Sequence, residues 1–193
     1  MVVRPGDDYG VREIGKYGGG FLISDAPNVA NAQGYTGYAM AATVGRNSGD
    51  RLPFAWKTWE SDADNTVWTF HLREALKWSD GELYTTEDVL FWFNDLMWNP
   101  VYLETMAVTP IGAADQPGMR VDALDDLTLQ VTLAEPTANY GNMILGDRSE
   151  RQLTNAAAHY LREFHPNYTS ENLLASKVAE SGFANWSQLM EFA

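Results

Sequence analysis

The sequence predicts an α+β fold. Three observations lead to this class: two segments with the alternating apolar pattern of half-buried strands, a capped helix between them, and a run of helical patterns in the last third. The chain has 193 residues, of which 45% are hydrophobic and 12% aromatic. Such a composition can fill one sizeable core, which argues against wholesale disorder.

Charge and cysteine content exclude several classes of function. Thirteen Lys and Arg residues face twenty-six Asp and Glu residues, so the formal net charge is −13. Nucleic acids and anionic membranes attract basic surfaces, and we therefore expect neither as a partner. The absence of cysteine removes disulfides, thiolate catalysis and Cys-ligated metals. The first eight residues contain no hydrophobic run, so we expect no signal peptide in this chain.

The first part of the chain gives weak structural signals. Residues 1–20 are rich in glycine and charge and predict a loose lead-in, and residues 21–24 predict a short buried strand. From Asn28 to Asp50 no period is clear, and we expect a loop with one short helix around Tyr38 to Thr43.

A strand and a helix follow with stronger signals. In Val67–Leu72 the apolar residues Trp68, Phe70 and Leu72 share one face, which predicts a half-buried strand after a turn at residues 62–65. Thr85 is placed as an N-cap, with Asp88 three residues later completing a capping box. The apolar run from Val89 to Trp98 predicts a largely buried helix that Asn99-Pro100 ends.

The remainder predicts a hairpin and then helices. Met119–Ala123 leads through a turn into Leu127–Leu133, whose alternation is typical of an antiparallel strand. Helices are predicted over Thr154–Phe164 and Ser170–Ser181, the second with Gly182 at the C′ position, and a third begins near Asn185.

Three motifs invite a ligand or metal interpretation, and each has a simpler one. The segment from Gly10 to Lys16 matches most of a P-loop, but Tyr17 stands where magnesium needs Ser or Thr. Residues 62–65 resemble the start of a calcium loop without its later glycine and glutamate, which favours a hairpin turn. The group formed by His159, Glu163 and His165 offers too few ligands for a metal centre. We therefore predict no cofactor and no metal.

Nothing in the sequence favours catalysis. Adjacent carboxylates occur at residues 7–8, 87–88 and 125–126, but each pair already has a local task in a lead-in, a cap or a turn. The G-x-S-x-G nucleophile motif is absent. Most of the tryptophans between Trp56 and Trp98 are expected in the core, with one or two lining a cleft. The sequence predicts a protein that is not an enzyme, and a carboxylate-pair hydrolase ranks a distant third among the alternatives.

An ordered series of motifs resembles a known family. The series is W-E at Trp59, W-T-F-H-L-R from Trp68, K-W-S-D-G-E from Lys77 and T-x-E-D-V from Thr85. It is similar to that of the family 5 extracellular solute-binding proteins, the oligopeptide-, dipeptide- and nickel-binding receptors of ABC transporters. The hairpin ending in Glu135-Pro136 and the segment A-H-Y-L-R-E-F-H-P from Ala158 agree with this resemblance.

The resemblance implies the early part of the first lobe of a type II periplasmic-binding-protein-like fold, truncated before the second lobe. Under this interpretation residues 1–55 are a lead-in and partial first-lobe strand region, and residues 56–193 are an inserted α+β subdomain with C-terminal helices. The sequence departs from the family pattern in a shortened, glycine-rich stretch before Trp56 and in Ala157, where the family usually has Pro.

The resemblance also implies a function. We expect a peptide or similar small solute as ligand, an ABC permease as partner, and a periplasmic or surface-tethered location. A single lobe portion supplies one wall of the cleft and should bind weakly or not at all alone. By approximate position, the ligand-binding residues are predicted to be Asp25, Asn28 and Tyr102. The alternative is an interaction or dimerisation module without transport function, which self-associates through exposed apolar surface.

Overall fold

A computed structural model describes residues 42–44, 51–53, 55–106, 118–141 and 156–191. The predicted strand at residues 21–24 and the predicted site residues Asp25 and Asn28 lie outside these ranges. Within them the chain forms two antiparallel sheets and a set of short helices.

The smaller sheet corrects the interpretation of the region before Asp50. Strand β1 (Ala42–Val44) pairs antiparallel with strand β2 (Arg51–Pro53), and Thr43 lies opposite Leu52. The helix expected around Tyr38 to Thr43 is therefore wrong at its C-terminal end. Thr43 and Val44 are β-branched and have a partner strand, and this pairing outweighs the weak local helix signal.

The larger sheet has the order β3-β4-β6-β5, and all its neighbouring strands are antiparallel. Its strands are β3 (Trp56–Ser61), β4 (Val67–Leu72), β5 (Arg120–Asp125) and β6 (Thr128–Thr132). The predicted alternation in β4 is confirmed, because Trp68, Phe70 and Leu72 are buried while the residues between them are partly exposed. Phe70 lies opposite Leu129 of β6, which fixes the register of the central pair.

One hydrophobic core joins the buried face of the sheet to the helices. The ring of Trp56 meets that of Phe70 edge-on, with centroids 5.0 Å apart and an interplanar angle of 81°. Val89 and Phe91 of the first helix belong to the same buried cluster. Removing an aromatic or aliphatic side chain of this size from water stabilises the fold by about 1.5–3 kcal/mol.

The capping box is present and starts helix α1 (Thr86–Phe91). The helix continues as a π-helical turn, Trp92–Leu96, rather than as the uniform α-helix expected up to Trp98. Asn99-Pro100 ends this segment as predicted, but the same pair also starts helix α2 (Pro100–Met106), which the sequence interpretation missed. Proline is well suited to the first position of a helix because its missing N–H has no partner there.

The C-terminal part is helical, with one corrected boundary. Helix α3 (Ala158–Leu161) passes into a 3₁₀ turn, Arg162–Phe164, and begins later than the predicted Thr154. Helix α4 (Glu171–Ser181) ends at Gly182 in the left-handed conformation, with φ of 78°, as predicted. Helix α5 (Trp186–Glu191) follows. No helix in the described ranges is both long and apolar enough to cross a bilayer.

Candidate functional site

Of the three predicted ligand-binding residues, Tyr102 lies within the described structure. It belongs to α2, is partly buried and packs against the hydrophobic core. Asn99 fixes the start of this helix, because its Oδ1 accepts hydrogen bonds from the backbone N–H groups of Val101 (3.1 Å) and Tyr102 (3.3 Å). The phenol is therefore carried on a helix whose first turn is fixed by Asn99.

Two exposed apolar residues accompany Tyr102 in sequence. Trp98 is 43% exposed and Val101 is 38% exposed. The ring of Trp98 meets that of the buried Phe93 edge-on at 6.3 Å, so one side of the indole is held by the core while the other remains in solvent. We call Trp98, Val101 and Tyr102 the α2 surface. Trp56, Trp68 and Trp92 are buried as predicted, and Trp98 is exposed. The expectation that one or two of these tryptophans line a cleft stays a prediction.

The motifs that carry the family resemblance meet at one buried carboxylate. Asp88 is 3% exposed, and its Oδ2 accepts hydrogen bonds from the backbone N–H of Thr85 (2.9 Å) and the indole Nε1–H of Trp78 (3.2 Å). Its Oδ1 accepts a hydrogen bond from the backbone N–H of Ala158 (2.8 Å). One side chain thus joins the segments that begin at Lys77, Thr85 and Ala158.

A hydrogen bond and an ion pair on the surface join the same segments. Nε2 of His159 lies 2.7 Å from Oδ2 of Asp80, and Nη1 of Arg162 lies 3.3 Å from Oε2 of Glu87. The hydrogen bond from His159, followed by the backbone N–H of Glu82, lowers the pKa of the Asp80 carboxyl. These contacts give His159 a structural task.

The adjacent acidic residues Asp125 and Asp126 are engaged in local structure. Asp125 accepts a hydrogen bond from the backbone N–H of Leu127 (2.8 Å), which lowers the pKa of its carboxyl. The backbone carbonyl of Asp126 accepts a bond from the N–H of Thr86 (3.0 Å), so this turn is tied to the start of α1. Across the described residues, no group of three or more His, Asp and Glu side chains is arranged to hold a metal ion.

An open groove of about 520 Å³ lies between α4 and α5. Its lining is mainly apolar, with one carboxylate and one amide, and consists of Pro166, Glu171, Leu174, Ala175, Val178, Asn185 and Trp186. The sequence interpretation missed this groove. The signal was present in the spacing of Leu174, Ala175 and Val178, which places three apolar residues on one helical face.

The comparison with known families identifies the middle part of the chain. Residues 53–180 match the family described as "Bacterial extracellular solute-binding proteins, family 5 Middle". In sequence, the chain is 32% identical to the periplasmic oligopeptide-binding protein OppA of Escherichia coli over 108 residues. It is 28% identical to the periplasmic alpha-galactoside-binding protein of Rhizobium meliloti over 119 residues. These matches cover 50% and 61% of this chain, and 20% and 16% of the respective relatives.

The comparison with solved structures agrees. An oligopeptide-binding protein OppA superposes with a TM-score of 0.64 and 32% identity, covering 79% of this chain and 23% of that protein. The periplasmic binding protein MelB in complex with stachyose, from Agrobacterium fabrum, superposes with a TM-score of 0.54 and 23% identity over 79% of this chain, and it supports the fold alone.

These comparisons confirm the α+β fold as part of a periplasmic binding protein lobe. The chain spans about one fifth of the length of OppA from E. coli, since the match covers 20% of that relative. The relatives are named as binding proteins rather than enzymes, and they give no support to the alternative of a dimerisation module. The chain belongs to family 5 of the bacterial extracellular solute-binding proteins.

Proposed function

We propose that the chain is part of the solute-binding receptor of an ABC importer and that its ligand is a peptide. The observation that carries this proposal is the agreement with OppA in both sequence and structure at 32% identity. An ABC permease is the partner that receives the solute from such a receptor. The location is the periplasm or the outer surface of the cell, as in the periplasmic relatives. In this role the chain binds and presents a solute and performs no chemistry.

Within the receptor, the chain supplies a portion of the first lobe. Residues 1–55 form its lead-in and strand region, and residues 56–193 form the inserted subdomain. The separate pairing of β1 with β2, and the start of the four-stranded sheet at Trp56, support a boundary near residue 55. A truncation experiment checks this division: residues 56–193 expressed without the preceding segment should fold and keep the larger sheet.

The ligand contacts proposed for this segment are Asp25, Asn28 and Tyr102. Tyr102 has support from its placement on a capped helix and from the exposed Trp98 and Val101 that accompany it. The α2 surface suits a ligand with apolar side chains, and the hydroxyl of Tyr102 can add a hydrogen bond to that ligand.

Taken by itself, the segment should bind its ligand weakly or not at all. Receptors of this family enclose the solute between two lobes, and affinity depends on burying the ligand on both sides. The chain corresponds to 23% of the OppA structure that it matches. It can therefore contribute one wall of the cleft, and the opposite wall belongs to the rest of a receptor.

A chimeric receptor tests the proposal. Residues 53–180 would replace the aligned section of E. coli OppA, and peptide binding would be measured by calorimetry with a pool of short peptides. We expect the chimera to bind peptides and the isolated chain to bind them at least about a hundredfold more weakly. A folded chimera that binds only oligosaccharides would contradict the peptide assignment, and tight binding by the isolated chain would contradict the one-wall interpretation.

Two conservative variants test the residue assignment. Tyr102→Phe removes the hydroxyl and keeps the ring, and in the chimera it should weaken peptide binding about threefold to tenfold if the hydroxyl contacts the ligand. Tyr160→Phe is the matched control, because Tyr160 is an exposed tyrosine on α3. Equal affinities of the two variants would remove Tyr102 from the site.

Self-association through exposed apolar surface stays a prediction. Large apolar side chains exposed in the described ranges belong to several different elements: Leu83, Trp98, Val101, Leu124, Tyr160, Tyr168 and Leu173. Sedimentation at several concentrations would measure it, and a concentration-independent monomer would count against it.

A further inference from the structure

A neutral histidine lies at the junction between the first helix and the C-terminal helices. His165 directly follows the 3₁₀ turn and is 1% exposed. Its ring meets Phe91 of α1 edge-on at 5.8 Å and Trp186 of α5 edge-on at 4.8 Å. The ring of Tyr168 lies 5.8 Å away on a third side. The imidazole therefore fills the space between two helices that are distant in sequence.

The hydrogen bonds of His165 select its uncharged form. Its Nδ1 accepts a bond from the backbone N–H of Asn167 (3.2 Å), so Nδ1 carries no proton and Nε2 does. Nε2 is buried and has no partner in ordinary hydrogen-bond geometry, but the backbone of Asp95 lies near enough to the ring to favour its protonation. A second proton on Nδ1 would place two N–H groups against each other and break the bond to Asn167.

The same turn is fastened to the π-helical segment by a second group. Asp95, which is 9% exposed, accepts hydrogen bonds from the side-chain Nδ2–H of Asn167 (2.8 Å) and the hydroxyl of Tyr168 (2.7 Å). The backbone N–H groups of Tyr168 and Thr169 both donate to the carbonyl of His165 at 3.0 Å. The position of Asn167 and Tyr168 therefore depends on the conformation of His165.

We propose that His165, Asp95, Asn167 and Tyr168 form a pH-sensitive latch that holds the C-terminal helices α4 and α5 against α1. The latch is closed while His165 is neutral. Protonation breaks the Asn167 contact, displaces the turn and releases the two side chains that Asp95 holds. The proposal concerns the stability of this segment and does not depend on which solute the receptor takes.

The charged groups around the imidazole act in opposite directions. Asp95 of the π-helical turn favours a proton on the ring, but both of its oxygens are already engaged by Asn167 and Tyr168. Arg162 of the 3₁₀ turn carries positive charge over the rings of Tyr168 (5.1 Å) and Phe91 (5.9 Å). The charged residues on the elements around the imidazole are themselves paired: Glu87 of α1 pairs with Arg162, and Glu163 pairs with Lys177 of α4. Helix α5 presents Trp186 to the imidazole.

Burial lowers the pKa of His165 below its usual 6.5, and this effect outweighs the charge and the backbone hydrogen bond of Asp95, which both raise it. When the latch opens, the histidine returns to water and to its ordinary pKa. The closed state is thus fully favoured above pH 6.5, and it is weakened as the pH falls from 6.5 towards the lowered value. For each unit by which the pH falls within that window, the fraction of molecules with an open latch rises by up to about tenfold.

Hydrogen exchange of the full chain at a series of pH values, corrected for the intrinsic exchange rate, tests the latch. We expect residues 165–191 to lose protection as the pH falls below 6.5, while β4 and β6 remain protected. His165→Phe keeps a ring and removes the titration, so the pH dependence of these residues should disappear. His159→Gln is the matched control, since His159 is an exposed histidine that contacts Asp80 outside the latch, and this variant should retain the pH dependence of residues 165–191.

The outcome that would overturn the proposal is protection of residues 165–191 that does not change with pH, or that changes equally in His165→Phe. If His165→Phe fails to fold, the latch can be tested in the wild-type chain by titrating its three histidines by nuclear magnetic resonance. His165 should then titrate below 6.5 together with a shift of the Trp186 indole signal. Titration at the ordinary value without a change at Trp186 would contradict the latch.

Discussion

The carboxylate of Asp88 accepts a hydrogen bond of 2.8 Å from the backbone N–H of Ala158, seventy residues further along the chain. The same carboxylate completes the capping box of α1 through the N–H of Thr85. It therefore serves a local purpose, which is to start a helix, and a long-range purpose, which is to attach α3 to that helix.

Replacing Asp88 should be costly for the fold. Asp88→Asn keeps one acceptor oxygen but turns an amide N–H₂ towards donors, so at least one buried N–H loses its partner. We expect a loss of about 2–3 kcal/mol in the free energy of unfolding, measured by urea denaturation. Glu87→Gln is the control: its side chain is 70% exposed, and its contact with Arg162 should contribute less than about 1 kcal/mol. Equal losses in both variants would refute the central role of Asp88.

Gly141 lies where a side chain would collide with two tryptophan rings. A Cβ at this position would lie 2.6 Å from Cζ3 of Trp68 and 3.1 Å from Cδ1 of Trp59. The indole of Trp68 is buried and cannot easily move away. Gly141→Ala should therefore destabilise the fold by about 1–3 kcal/mol, measured as a shift of the urea midpoint. A variant as stable as the wild type would show that the indole can repack.

Ala75 is a site where glycine should stabilise the fold. Its φ is 58°, in the left-handed region that costs an alanine about 1–2 kcal/mol. Because glycine also loses more freedom on folding, we expect a net gain of about 0.5–1 kcal/mol for Ala75→Gly in thermal or urea unfolding. Ala179→Gly is the control: it makes the same change at an exposed position within α4, where the alanine is helical, and it should lower the free energy of unfolding by about 1 kcal/mol. Destabilisation by both changes would contradict the strain at Ala75.

The turn before β4 should be sensitive to acid. Oδ1 of Asp62 accepts hydrogen bonds from the backbone N–H groups of Val67 (3.1 Å) and Thr66 (2.8 Å). The bond from Val67 is the largest cause of the lowered pKa of this carboxyl. Its folded pKa lies below the ordinary 3.8, so its stabilising effect is complete above 3.8 and is lost as the pH falls through the folded value.

Asp62→Asn tests this dependence. The variant should be less stable than the wild type at neutral pH, and the difference should narrow as the pH falls below 3.8. Asp64→Asn, in the same exposed turn, is the control. Urea denaturation at several pH values provides the measurement. A difference between wild type and Asp62→Asn that is constant with pH would indicate a purely geometric role for the side chain.

Local signals in the sequence were sufficient for much of the fold. The cap at Thr85, the alternation in β4 and the left-handed Gly182 each depend on a few neighbouring residues, and each is confirmed. The later start of α3 depends instead on a contact across the fold, because the N–H of Ala158 is held by Asp88. Such a contact leaves no periodic pattern in either segment.

The candidate site was less predictable for the same reason. The helix that carries Tyr102 starts at an Asn-Pro pair that is typical of a helix end, and only Asn99 acting as its cap makes a new start possible. Asp95 and Tyr168 of the proposed latch are separated by 73 positions, and no sequence motif connects them. Asp25 and Asn28 remain predictions from the family resemblance.

The position of β5 has a consequence for how this part of the protein meets other chains. Strand β5 has β6 on one side and no further strand partner among the described strands. At its end, the backbone carbonyl of Asp125 accepts a hydrogen bond from the hydroxyl of Thr86 in α1 (2.9 Å). Arg120 and Asp122 form an ion pair of 2.7 Å along this strand, and an irregularity in its pairing lies between Ala123 and Asp125. Charges and irregular pairing both discourage the addition of a further strand and thereby protect against aggregation. A further extended chain should accordingly not add to the sheet at the edge of β5.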